Sequence, residues 1–264
     1  MELWWQEKAY IDQIVDCAFY LQDSCPDAWL VSIGQSPAWI VLSASMLRKL
    51  QGAPANVAYI PFTGGFLQRD MNASSENTMR FNKRAGWSDE STVLADYFNY
   101  LYHLQLQPEQ VKQQIESGQR FVFLEMIKKA NGLASFLSAW LENADDTTRD
   151  FIVKNADFYV YDTEPNANSD ALMTPNGIEV PLMRIGMTYE ESEIMENTAP
   201  LNEVDENSSR LVPMYRLMAV GKYSPGLMLC PNQAVKKRIE NVLHQKIQSR
   251  FQAGRQAQAC CNHP

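Results

Sequence analysis

Apolar positions along the chain follow two spacings. Between 2 and 22, Leu3, Ile11, Ile14, Val15, Ala18 and Leu21 recur near the helical period and predict an amphipathic helix. Ser24-Cys25-Pro26-Asp27 stops it. Ala28 to Ile33 is a short apolar run of strand formers, followed by Gly34-Gln35-Ser36-Pro37. A mostly apolar helix is expected from Ala38 to Leu47, with Ser36 as its N-cap and Pro37 at its first helical position. A second apolar run, Val57 to Phe62, leads into Thr63-Gly64-Gly65. Strand, glycine-containing turn, helix and strand is the order of a parallel α/β sheet.

The stretch 66–90 interrupts this rhythm. It is polar, carries Arg69, Arg80, Lys83 and Arg84, and reads as a long loop. Helices are expected at Ser91 to Leu104 and Pro108 to Ser117, ended by Gly118. Phe121 to Ile127 is the clearest strand, Lys128-Lys129-Ala130-Asn131-Gly132 its turn, and Leu133 to Leu141 the next helix. Asp157 to Asp162 reads as a strand, 163–176 as a loop and Ile178 to Met187 as a last strand. Residues 188–209 hold seven acidic and no basic side chains, an acidic excursion. A basic helix closes the pattern at 231–252, with Val235, Ile239, Leu243, Ile247 and Phe251 at four-residue intervals, before a disordered tail, 253–264. The expectation is one α/β domain over 1–230: a central, mainly parallel sheet flanked by helices, with a C-terminal helical extension.

Charge and composition narrow the chemistry. With 23 basic and 31 acidic residues the net charge is −8, so a general nucleic-acid partner is not expected, because neutralising phosphates needs a basic face. No apolar run reaches the ~20 residues of a membrane span, and the opening MELWWQEKAY lacks the pattern of a secretory signal. Five cysteines at 17, 25, 230, 260 and 261 form no CxxC pair and suit a reducing, cytoplasmic setting. Only His103, His244 and His263 could add nitrogen ligands, too few at recognisable spacing for zinc, and neither zinc nor haem is expected.

In a parallel sheet, ligands gather at the carboxyl ends of the strands. Gly34-Gln35-Ser36 there presents backbone amides at a helix N-terminus, which favours an anion. At the later strand end, Glu125 can accept ribose hydroxyls, while the turn through Lys128, Lys129, Ala130, Asn131 and Gly132 can receive a phosphate. Ser36 could instead serve as a hydrolase nucleophile with His103 or His244 as base, but the second glycine of a nucleophile elbow is absent.

Three stretches, in order, carry a resemblance: Trp29 to Pro37, Leu104 to Glu109, and Phe121 to Phe136. Together they resemble the type I phosphoribosyltransferase fold, and more closely its divergent bacterial relatives, over residues 25–162. The resemblance implies a first strand with a pyrophosphate-side turn at Gly34-Gln35-Ser36 and a phosphoribosyl-pyrophosphate loop after Phe121 to Ile127. It implies a flexible hood at 66–90, whose Arg69 and Arg80 close on pyrophosphate. It also implies magnesium with a phosphorylated small-molecule ligand, and homodimerisation. Glu125 fills the first acidic position of the loop, as its catalytic carboxylate, but Met126 fills the second. Ala130-Asn131-Gly132-Leu133 stands where hydroxyl-bearing residues would meet the 5′-phosphate. Hence the chain is expected to be a phosphoribosyltransferase-like protein that binds a phosphorylated ribose. The competing expectation is a non-enzymatic interaction protein on a decayed nucleotide-binding fold.

Overall fold

A computed structural model describes residues 8–34, 37–60, 67–69, 79–81, 98–99, 101–127, 131–162, 170–174, 177–187, 202–204, 211–213 and 233–261, some by backbone alone. In chain order the elements are α1 (Lys8–Ser24), β1 (Trp29–Ile33), α2 (Ala38–Leu50), β2 (Val57–Ile60), β3 (Leu67–Arg69) and β4 (Met79–Phe81). These are followed by α3 (Pro108–Glu116), β5 (Phe121–Ile127), α4 (Asn131–Glu142), α5 (Asp146–Asn155) and β6 (Asp157–Asp162). Then come β7 (Ala171–Met173), β8 (Glu179–Pro181), β9 (Met183–Gly186), β10 (Asn202–Val204), β11 (Leu211–Pro213) and α6 (Gln233–Cys261).

The architecture is α/β. Five strands form one sheet in the order β2-β1-β5-β6-β9, and all four pairings are parallel. Nearly continuous burial along β1 and β6 explains why these strands read as unbroken apolar runs: both sheet faces are covered. On one face Val31, Ile33, Phe121, Phe123, Phe158 and Val160 pack with Val111 of α3, Leu133, Phe136 and Trp140 of α4, and Ile152 of α5. Phe123 is the hub, stacked 5.4 Å from Phe158 and tilted 5.1 Å from Trp140. The Trp140 indole N–H donates to the Leu106 carbonyl at 2.8 Å, so this bulky ring is buried without an orphaned donor. The opposite face joins Leu30, Val122, Leu124, Met126, Tyr159 and Tyr161 to α1, α2 and α6.

Several boundaries differ from the sequence expectation. Pro37 is the N-cap of α2 rather than its first helical residue, and its carbonyl accepts from the Ile40 and Val41 amides. The expected N-cap, Ser36, lies outside the described residues. Asn131 and Gly132, expected in a turn, begin α4. The expected loop at 66–90 contains an antiparallel ribbon, with Gln68 opposite Arg80 and Arg69 opposite Met79. The expected strand over 178–187 is two strands: β8 pairs antiparallel with β7, while β9 joins the main sheet beside β6. β8 ends at Pro181, which cannot donate to a continuing ladder, and Leu182 alone lies between it and β9. Within the acidic excursion, 202–204 pairs with 211–213 as a short antiparallel ribbon.

The helix α5 has no counterpart in the sequence expectation. It starts from Asp145, whose carboxylate accepts the Thr148 amide at 2.6 Å. That hydrogen bond, from the backbone amide of Thr148 first, holds the Asp145 carboxyl below its ordinary value. The cap is therefore fully present above the ordinary carboxylate pKa of about 4 and is lost as pH falls through the lowered value. An NMR titration should show the Thr148 amide shift moving with a midpoint below that of a free aspartate; a midpoint at or above about 4 contradicts the cap.

α6 continues to Cys261, past 252, where the sequence pattern ends it. Its 29 residues span about 43 Å. Ile239, Leu243 and Ile247 are buried, and Lys246 and Arg250 pair with Asp12 and Asp16 of α1. Both rungs have the same sequence offset, so α1 and α6 run parallel. Gly254 lies in α6, and a Cβ added there would meet nothing within 4 Å. Gly254→Ala is expected to stabilise the helix by about 0.8 kcal/mol, because alanine loses less backbone entropy. Hydrogen exchange of the amides around 250–256 should slow several-fold; unchanged exchange would mean that this turn is not helical in solution.

Candidate functional site

The chain leaves β1 and β5 toward opposite faces. From β1 it enters α2, on the face shared with α1 and α6, and returns as β2; from β5 it enters α4, on the other face. This is the topological switch point of a doubly wound sheet, the place where ligands of such sheets commonly bind, outside the carboxyl ends of the strands. Ser32 lies opposite Leu124, so β1 and β5 leave the sheet at the same edge, with β5 running two residues further; their backbones lie about 5 Å apart where they pair.

Gly34 ends β1 with φ of 73°, a left-handed conformation that glycine adopts without a Cβ penalty. Two contacts fix this bend. The Gly34 amide donates to the Ile60 carbonyl at 2.8 Å, and the Ser32 hydroxyl donates to the Gly34 carbonyl at 3.1 Å. The Gly34 amide is thus already used by β2 and is not one of the amides a ligand could receive. Gln35, Ser36, Lys128, Lys129 and Ala130 lie outside the described residues. Arg69, Arg80, Asn131 and Gly132 are described by backbone alone: the arginines in the β3–β4 ribbon, the other two in the first turn of α4.

Glu125 is half-buried near the end of β5, and its carboxylate accepts the Met126 amide at 2.9 Å. Strand alternation separates these two neighbours. Glu125 shares a face with Phe121 and Phe123, whereas Met126 is buried among the residues packed under α1, α2 and α6. A carboxylate at position 126 would therefore enter the core, not the carboxyl edge of the sheet. Methionine there satisfies a packing requirement.

The structure adds a charged pair that the sequence reading did not single out. Asp162 ends β6 opposite Ile127 of β5, and Arg184 of the neighbouring β9 pairs with its carboxylate. Their side chains are only 3% and 8% exposed. Register places Asp162 two residues beyond Val160, the partner of Glu125, and on the same sheet face. Glu125 and Asp162 are diagonal neighbours, with Cα atoms about 8 Å apart by strand geometry. A charge ending an otherwise apolar run, Phe158-Tyr159-Val160-Tyr161-Asp162, was the available signal. Its partner, 22 residues later, could not be read from spacing.

The resemblance implies a magnesium site. The described carboxylates near it are Glu125 and Asp162, one bonded to a backbone amide and the other to Arg184. Among the described residues no group of three or more His, Cys, Asp or Glu is placed to hold a metal ion. The two histidines considered as hydrolase bases, His103 and His244, are both exposed, and the His103 ring meets Tyr102 edge-on at 5.8 Å.

No helix among the described residues is long and apolar enough to cross a membrane. Compared with protein-family models, curated proteins and solved structures, the chain matches none of them.

Proposed function

We propose that the carboxyl edge of the sheet at β1 and β5 binds a phosphorylated ribose, with phosphoribosyl pyrophosphate as the fullest form of that ligand. The observation that carries this reading is the switch point itself: two adjacent parallel strands whose following helices depart to opposite faces. In this reading Glu125 accepts ribose hydroxyls, and the amides opening α4 face the phosphate, where the helix dipole favours negative charge. Magnesium arrives on the ligand's phosphates, with at most one or two carboxylates from the chain. In a transferase, a nitrogen nucleophile would bond to the anomeric carbon as the bond to pyrophosphate breaks, with the hood arginines Arg69 and Arg80 receiving the departing charge.

A second reading is a non-enzymatic interaction protein on a decayed nucleotide-binding fold. It is favoured by Met126, whose burial removes the second loop carboxylate, and by Glu125, which is engaged with its own strand.

Isothermal titration with phosphoribosyl pyrophosphate, with and without magnesium, tests both. Binding is expected in the micromolar-to-millimolar range. Glu125→Gln should weaken it about tenfold, because a hydrogen bond to a charged acceptor is lost. Absence of heat at millimolar ligand overturns the proposal. Heat without pyrophosphate release, across a panel of nitrogen nucleophiles, keeps the binding proposal and removes the transfer step.

A further inference from the structure

We draw no further inference here: the strongest candidate, the buried Asp162–Arg184 ion pair beside Glu125 at the carboxyl edge of the sheet, belongs to the site already described.

Discussion

Replacing Arg184 with methionine is expected to lower the free energy of unfolding by about 3–5 kcal/mol, a large part of the ~5–15 kcal/mol typical of a domain. The reason is the charge left behind. Asp162 is 3% exposed, and removing Arg184 takes the cation away from a buried carboxylate at the end of β6. Methionine keeps much of the arginine stem's volume, so the loss reports charge more than packing. The double variant Arg184→Met with Asp162→Leu should recover much of the stability, since a buried pair returns little more than its desolvation costs. Urea denaturation gives the comparison, with the midpoint falling and the slope unchanged. If the single variant stays within about 1 kcal/mol of wild type, the pair behaves as a solvated surface bridge.

A second large loss is expected from Arg48→Met, roughly 3 kcal/mol, because buried carbonyls lose their donors at about 1–3 kcal/mol each. Arg48 has 0% exposure although it carries a guanidinium. Its Nη1 donates to the Ala28 carbonyl at 2.6 Å, its Nη2 to the Cys25 carbonyl at 2.8 Å, and its Nε to the Gln22 side chain at 3.1 Å. One side chain of α2 thus fastens the bend that ends α1 and starts β1. Burial, the largest influence, lowers the pKa of Arg48, yet guanidinium starts so high that it stays charged at neutral pH. Nearby Cys25 is pushed the other way by burial and remains a thiol, donating to the Leu21 carbonyl at 3.0 Å. Arg48→Lys should recover only part of the loss, because an ammonium on a single stem lacks the planar fork. Hydrogen exchange should localise the damage to the start of β1. A loss below about 1 kcal/mol would indicate that water replaces the donors.

Both predictions concern residues whose importance is invisible in a linear reading. Arg48 sits in Leu47-Arg48-Lys49, which reads as a solvated helix end, while Lys49 beside it is exposed. Three partners of Arg48 come from residues 22 to 28, across the α1–β1 connection, and a further acceptor, the Asn56 carbonyl, lies just before β2. Arg184 lies in Met183-Arg184-Ile185-Gly186, an ordinary edge-strand pattern. What buries it is the placement of β9 against β6, a pairing no local period encodes.

The strands β1, β5 and β6 were legible in the sequence because each is a short run of apolar, often β-branched or aromatic residues bounded by turn residues. The helix α5 was not, because it has only two buried positions, Thr148 and Ile152, and so no apolar stripe; its signal was the cap alone. The candidate site divides in the same way. Glu125 at a strand end could be named from composition and position. Asp162 could be named only as the end of a strand, and its role beside Glu125 depends on the register between β5 and β6.

By itself the sequence determined the layered α/β class, because an all-parallel sheet covered on both faces demands apolar strands separated by amphipathic helices, and that demand is written locally in side-chain periodicity. Only the tertiary structure decided the strand order, the shared edge at which β1 and β5 leave the sheet, and the burial of Arg48, Asp162 and Arg184. Those depend on which distant segments meet, and neighbours along the chain carry no record of a contact made across it.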